Sequence, residues 1–553
     1  MQTTAFVNGA VFTASSTQRW ATSLVIRDDR IVAVGNDAEV RPFLHSADEV
    51  VDLRGRLVTP GFVDAHVHPI VGGLERTRCD LSGTDSVEDY RRLIAAYAAG
   101  SRAPWILGGG WSMAAFEAGC PDRRILDELV PDRPAYLPNR DHHSAWVNTA
   151  ALRLAGIDAA TPDPADGRIE RDAAGHPTGL LHEGAMALVE RRRPADSEAD
   201  RRAALREGMR YLQSLGITGW QDAMVHHDGA DATHATYLSA QAEGWLTARV
   251  AGALWWDRDV DDVQTEVKRL LAARDEADAA AASSTRPRYS LPHVKVMQDG
   301  VIETFTAALI EPYHDRCGHP GQNRGISFLE PELLREVVVE LDAAGFGVHF
   351  HALGDRAVRD VLDAVEAARS LNGTADRRHQ AAHLQLVHPD DVPRFRRLGV
   401  AANLQALWSA HEPQMDELTI PFLGDERADR QYPFGDLYRD GATLVMGSDW
   451  PVSTPDPWAA IHTAVNRVGP DAPPGTPPLG ADQRLTLATA LTAYTAGSAW
   501  VTRADDLAGT LAAGRAADLA VHDRNPFDSA VTEIAATQVQ RTYVGGELVH
   551  ESA

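Results

Sequence analysis

The chain of 553 residues is too long for one ordinary domain, and its 44% hydrophobic and 24% charged residues are typical of a globular protein with a large core. Its formal net charge of −25 argues against a nucleic-acid partner or an anionic membrane surface, because both would repel it. The three cysteines form no CxxC pair, so they indicate neither a disulfide framework nor a thiolate zinc site. Without a signal peptide or a membrane-length apolar run, we expect a cytoplasmic protein.

The two ends of the chain share one character. Residues 1–58 alternate short β-type runs with Gly, Asn and Asp turns, and residues 505–553 contain further β-type runs with a Gly-Gly turn at 545–546. Because two β-rich ends flank an α/β middle, we expect them to meet in one composite β-sandwich.

The middle of the chain, residues 59–504, alternates apolar β-type runs with helical segments. This alternation is typical of βα units around a parallel sheet. Residues from about 75 to 185 are rich in Gly, Pro, Trp and Asp and break the rhythm, which indicates an insertion on the substrate side. The sequence therefore predicts an α/β fold, a TIM (β/α)8 barrel with a composite terminal β-sandwich and an inserted domain.

The first chemical signal is an apolar run that ends in His66-Val67-His68. Residues two apart on a strand point to the same side, so both imidazoles can bind one ion. A bare HxH pair is a weak signal and by itself more often consists of unrelated core or surface histidines. Its place at the end of a strand, where barrels carry their chemistry, favours the metal interpretation.

Three further polar residues each end an apolar run: His351, His383 and Asp449. His351 is preferred to His349 because it comes last before the next turn, although strand parity would let both face inward. His383 could instead be a core histidine bonded to backbone. Asp449 could bind a metal and accept a proton from water, and its alternative is a turn or helix-capping aspartate.

The order HxH, His, His, Asp resembles the amidohydrolase superfamily, and within it amidohydrolase family 3, the YtcJ-like metal-dependent hydrolases. The resemblance covers nearly the whole chain and implies a distorted barrel, a composite sandwich and one or two divalent metals, with Zn²⁺ as the first expectation. The segments that carry it are residues 59–68, 108–111, 130–134, 143–148, 177–183, 294–300, 351–358, 447–452 and 516–521.

By this resemblance the metal ligands would be His66, His68, His351 and His383, with Asp449 as both ligand and catalytic base. Lys295 stands where many members carry a carboxylated lysine that bridges two metals, and its alternative is a lysine that neutralises carboxylates such as Asp299. Glu183 could supply a bridging carboxylate instead, or support the ligands from behind.

The insertion contributes three candidates for substrate binding, Trp111, His143 and Trp146. Aromatic side chains are common in small-molecule sites, although a tryptophan is often simple packing. Around His383 the sequence reads Ala-His-Leu-Gln where similar proteins usually read Glu-His-Ala-Gln, so an acidic neighbour is lost.

The resemblance implies metal-dependent hydrolysis of a non-peptide C–N bond. The first hypothesis is a small, partly apolar substrate such as an N-substituted formamide or an N-acyl amine. Alternatives are a cyclic amide or carbamate hydrolase, and a catalytically silent binding protein on the same fold. We expect a small-molecule substrate and neither a nucleic-acid nor a membrane partner, with a homodimer left open.

Overall fold

The computed structural model describes residues 2–552 apart from 228, 230, 231 and 261. In chain order its strands are β1 (Thr3–Val7), β2 (Ala10–Phe12), β3 (Trp20–Ala21), β4 (Ser23–Arg27), β5 (Arg30–Gly35), β6 (Glu49–Asp52), β7 (Leu57–Pro60), β8 (Phe62–Val67), β9 (Cys79–Asp80), β10 (Ile106–Gly109), β11 (Ala135–Pro138), β12 (Ser144–Val147), β13 (Gly167–Arg171), β14 (Pro177–Glu183), β15 (Ile217–Val225), β16 (Arg249–Trp255), β17 (Tyr289–Met297), β18 (Gly347–Ala352), β19 (Gln380–His383), β20 (Ala401–Leu404), β21 (Leu444–Met446), β22 (Leu519–His522), β23 (Val539–Val544) and β24 (Glu547–Glu551).

The α-helices are α1 (Asp37–Leu44), α2 (Pro69–Thr77), α3 (Val87–Gly100), α4 (Arg123–Leu129), α5 (Thr149–Ala155), α6 (Met186–Glu190), α7 (Glu198–Ser214), α8 (Thr233–Ala242), α9 (Val263–Ser283), α10 (Pro331–Ala343), α11 (Asp355–Asn372), α12 (Val392–Leu398), α13 (Asp425–Ala428), α14 (Phe434–Asp440), α15 (Pro457–Asn466), α16 (Leu487–Thr492) and α17 (Ser498–Val501). Among the described helices, none is both long enough and apolar enough to cross a membrane.

Eight parallel strands form a nearly closed barrel in the order β21-β20-β19-β18-β17-β16-β15-β8. The chain segments after β21 and β8 join the two ends of this order, because Asp449 N donates to the carbonyl of His66 over 2.7 Å and His68 N donates to that of Trp450 over 2.9 Å. The strand β18 is buried along its whole length, as expected where helices cover a parallel sheet. The predicted barrel fold is confirmed.

The chain termini share two sheets beside the barrel. One has the order β5-β4-β1-β6, and the other has the order β24-β23-β22-β7-β2-β3, which combines strands from both ends of the chain. Buried side chains from the two sheets pack together, and the rings of Phe6 and Tyr543 meet edge to face at 5.5 Å. The composite sandwich is thus present, and β7 in it runs across the boundary predicted at residue 58.

The insertion forms a mixed sheet of its own, in the order β13-β14-β12-β11-β10-β9. It leaves the barrel after α2 and returns before α7, so it lies between the first two barrel strands in sequence. Because the insertion follows the carboxyl end of β8, it stands over the same barrel mouth that carries His66 and His68.

Candidate metal centre

Three side chains, His66, His68 and Asp449, bring their ligand atoms within 4.8 Å of one another. Asp449 Oδ1 lies 3.3 Å from His66 Nε2 and 3.1 Å from His68 Nε2. Burial would raise the pKa of Asp449, but the neighbouring imidazoles outweigh it and hold this pKa well below its ordinary value. Burial, with the charge of Lys295, lowers the pKa of His66 to about 3. An ionised carboxylate and a neutral imidazole are the forms that bind metal.

Asp64 fixes the backbone around this cluster. Its Oδ1 accepts hydrogen bonds from His66 N over 3.1 Å and from Ser448 N over 3.0 Å, so one carboxylate links the ends of β8 and β21. Asp449 itself has a φ of 55°, the left-handed region that costs a non-glycine residue free energy. Backbone strain of this kind persists where the surroundings hold it, and it is common at functional sites.

His383 lies beside the cluster with its ring almost fully buried. Its Nδ1 is 3.9 Å from Asp449 Oδ2, and its ring stacks on Trp408 at 5.2 Å and 8°. Neither ring nitrogen has a hydrogen-bond partner among the described residues. Leaving a buried polar atom unpaired costs about 1–3 kcal/mol. A metal ion would satisfy this orphaned imidazole, so the residues present fit such an ion.

His351 faces the same space, with its ring 4.4 Å from that of His383. Its Nδ1 lies 3.2 Å from Asp299 Oδ1, which leaves Nε2 for the site. Asp299 also accepts from Leu353 N over 3.0 Å and from Gly354 N over 2.8 Å. Burial raises the pKa of Asp299 to about 7, against these hydrogen bonds. A carboxylate behind a histidine is the usual support of a metal-ligating imidazole.

His349 turns to a different neighbour. Its Nε2 lies 2.8 Å from Nδ1 of His66, and the two rings are 4.6 Å apart. The two inward-facing histidines of β18 therefore have separate roles: His351 lies against His383, while His349 orients His66. Sequence parity indicated that both face inward, but it gave no sign of this division.

Lys295 is buried on β17, next to His349 in the strand register. Burial lowers the pKa of Lys295 to about 8, although the negative charge of Asp449 opposes this shift. Asp299, the alternative partner suggested for Lys295, instead has its Oδ1 3.2 Å from His351 Nδ1. The carboxylation of Lys295 stays a prediction.

Glu183 is bound to residues outside the tight cluster. Its Oε1 lies 2.9 Å from His143 Nδ1 and accepts a hydrogen bond from Thr306 Oγ1 over 2.9 Å. Burial would lower the pKa of His143, but the Glu183 carboxylate outweighs it and raises this pKa to about 9. The His143 ring is 5.4 Å from that of His351. Glu183 therefore supports His143 at the edge of the metal centre.

Trp111 and Trp146 are not brought to the site. Both are fully buried in the core of the insertion, with their rings 6.1 Å apart. Trp111 Nε1 donates to the carbonyl of Leu137 over 2.8 Å, and Trp146 Nε1 donates to that of Asp122 over 3.2 Å. The structure places these two indoles in packing, because the insertion needs large side chains to fill its own core.

A cavity of about 670 Å³ adjoins the metal centre at the barrel mouth. Trp408, which stacks on His383, and Trp450, which follows Asp449, belong to its wall together with Glu303. Sequence reasoning missed Trp408 and Glu303. The available clue was their position in segments that follow barrel strands, β20 and β17, at the carboxyl ends where barrel sites form.

Comparison with known sequences places this arrangement in a family. The sequence profile of the amidohydrolase family, in its family 3 branch, matches residues 49–550. The chain belongs to this amidohydrolase family. It is 31% identical over 555 residues to the protein LONG AFTER FAR-RED 3 of Arabidopsis thaliana, a match that covers 98% of this chain and 91% of the relative.

Two further similarities extend over the full length. The N-substituted formamide deformylase of Arthrobacter pascens is 28% identical over 564 residues, covering 99% of this chain and 98% of that protein. A metal-dependent hydrolase of Pyrococcus furiosus, described as uncharacterized, has a crystal structure similar to this one, with a TM-score of 0.70 and 26% identity. That match covers 95% of this chain and all of the other. These matches agree with the family assignment over nearly the whole length of the chain.

Proposed function

We propose that this protein hydrolyses a non-peptide amide bond in a small, partly apolar molecule such as an N-substituted formamide or an N-acyl amine. The observation that carries the proposal is the cluster of His66, His68 and Asp449 beside an orphaned His383, at the foot of a cavity large enough for such a molecule. The name of the Arthrobacter pascens relative supports the choice of amide.

The residues that would hold the metal are His66, His68, His351, His383 and Asp449, together with Lys295 once it is carboxylated. We propose Zn²⁺, because imidazole nitrogens and carboxylate oxygens suit it. When bound, such an ion polarises a carbonyl group and acidifies water.

The protein's own residues carry the remaining steps. Asp449 is ionised and lies at the centre of the cluster, so it takes a proton from the attacking water and delivers it to the leaving nitrogen. His143 is held by Glu183 through Nδ1, which leaves Nε2–H free to donate to the substrate carbonyl oxygen. The C–N bond breaks, and water supplies the hydroxyl group of the acid and the proton of the amine.

The test is a panel of formamides, N-acyl amines, lactams and carbamates, assayed with wild type and Asp449→Asn, alongside elemental analysis of the purified protein. We expect turnover of linear amides, a loss of at least about a thousandfold in Asp449→Asn, and bound divalent metal in the wild type. Turnover of lactams or carbamates alone would favour the alternative function, a cyclic amide or carbamate hydrolase. Metal-free protein without turnover would favour a silent binding protein.

A further inference from the structure

The cavity above the metal centre has an excess of negative charge. Among the described residues that line it are seven carboxylates and only two guanidinium groups, those of Arg76 and Arg140. Both arginines have acidic partners: Arg76 Nε lies 3.0 Å from Glu207, and Arg140 contacts Asp85. Both basic side chains of the wall are thus paired with carboxylates of the protein. The remaining carboxylates give the cavity wall a net negative charge.

Glu303 is one of these carboxylates, and its hydrogen-bond partners are neutral groups. Its Oε1 accepts a hydrogen bond from the neutral hydroxyl of Thr419 over 3.2 Å, and the side chain of Gln414 supplies another. Burial, reinforced by the negative charge of Asp141, raises the pKa of Glu303 to about 7. A half-buried carboxylate whose partners are neutral would gain from a cation bound beside it.

Asp141 shares this space and is tied to the catalytic residues. Its Oδ1 accepts a hydrogen bond from His143 N over 2.9 Å, so the carboxylate stands at the start of the segment that carries His143. Asp141 and Glu303 both line the cavity, so a group bound there would lie beside the segment that carries the proposed carbonyl donor, His143. The acidic wall and the metal centre are therefore parts of one binding site.

The cavity wall also includes two indole side chains. Trp408 and Trp450 both line it, and the orphaned imidazole of His383 lies directly beneath Trp408. Indole faces attract cations that come within about 6 Å of the ring. The net charge of −25 would further concentrate cations near the protein.

We propose that this cavity selects amides that carry a permanently or readily charged cationic group, an ammonium or a guanidinium, bound by Glu303 and Asp141 beside the indoles. The inference rests on the proposed function and narrows its substrate class. The cationic group takes no part in the hydrolysis; it holds the scissile amide over the metal centre.

The binding test uses two molecules of the same shape that differ in charge, choline and 3,3-dimethylbutan-1-ol. Their affinities for the metal-loaded protein are measured by calorimetry for wild type, Glu303→Gln and a control, Glu336→Gln. Glu336 is exposed on α10, away from the cavity wall, so its variant changes the net charge equally. We expect choline to bind at least about tenfold more tightly in wild type and in the control, with the ratio falling towards one in Glu303→Gln.

A second measurement separates the two proposals. N-(3-dimethylaminopropyl)formamide and N-(4-methylpentyl)formamide have the same shape, and only the first is a cation at neutral pH. We expect wild type to have a higher kcat/KM for the cationic formamide than for the neutral one. In Glu303→Gln this difference should disappear, because KM for the cationic formamide rises. The inference would be overturned if wild type bound choline and 3,3-dimethylbutan-1-ol equally, or if the ratio of their affinities were unchanged in Glu303→Gln. Amide turnover in the same protein would still uphold the proposed function. Preference for choline without turnover of any amide would overturn the function and leave the cation site standing.

Discussion

His349 Nε2 lies 2.8 Å from Nδ1 of His66, and their rings cross at 75°. If His66 offers Nε2 to a metal, its proton must be on Nδ1, so His66 donates and His349 Nε2 accepts. The proton of His349 is then on Nδ1, which has no partner among the described residues. His349 thus selects the tautomer of His66 that leaves the correct nitrogen free.

His349→Phe should therefore weaken metal binding by about 10- to 100-fold, because His66 loses the acceptor that fixes its ring and tautomer. Affinity is measured by competition with a chelator. The control is His293→Asn, which alters another buried histidine, on the neighbouring strand β17 and in contact with the carbonyl of Arg378. An unchanged affinity in His349→Phe would remove this role from His349.

The raised pKa of Glu303 predicts a pH-dependent stability. The folded state keeps a proton on this group up to about pH 7, whereas the unfolded chain releases it near 4.5. The folded state binds more protons in this range, so the carboxylate lowers the free energy of unfolding progressively as pH rises from about 4.5 to 7. Glu303→Gln should be more stable than wild type at pH 8, by up to a few kcal/mol, and equally stable near pH 4.

Chemical denaturation at both pH values checks this expectation, with Glu336→Gln as the matched control. A stability difference that is the same at pH 4 and pH 8 would show that ionisation of Glu303 is not its cause. The same data establish that the variant used in the binding test is folded.

Trp111 should behave as a core residue of the insertion. Trp111→Ala removes a fully buried indole and should lower the free energy of unfolding by about 3–5 kcal/mol. Trp111→Phe keeps most of the volume but loses the hydrogen bond to Leu137, so it should cost less and leave KM unchanged. Thermal unfolding and steady-state kinetics measure both effects. A raised KM in Trp111→Phe without loss of stability would return Trp111 to the substrate site.

Lys295 should control the number of bound metal ions. A carboxylated lysine is an anion that can bridge two cations, whereas an unmodified ammonium group would repel them. We expect Lys295→Ala to hold fewer ions per chain than wild type, and the wild type to gain metal when it is loaded with bicarbonate present. Elemental analysis decides, with the exposed Lys268→Ala as control. Equal metal content in all three proteins would exclude a bridging role.

The parts of the site that end a barrel strand could be predicted from the sequence. His66, His68 and Asp449 follow apolar runs, and the carboxyl ends of barrel strands converge on one mouth, so the pattern itself brings them together. The terminal sandwich was predictable for a similar reason, because β-rich ends flanking an α/β middle must bury their faces against each other.

Other features depend on side-chain directions that the pattern does not contain. His349 and His351 share one face of β18, and only their neighbours on other strands separate their roles. Trp111 is compatible in sequence with either a core or a pocket, and packing of the insertion decided for the core. Glu303 lies in a segment without regular structure, where no periodicity indicates which side chains point inward.

The hydrogen bond from Asp449 N to the carbonyl of His66 joins the last barrel strand to the first. During synthesis, His66 and His68 emerge early and must wait for nearly all of the remaining barrel before Asp449 can meet them. A chain that ends before β21 would carry the four proposed histidine ligands without the carboxylate of Asp449. The carboxylate that completes the cluster therefore arrives last, with the strand that closes the barrel.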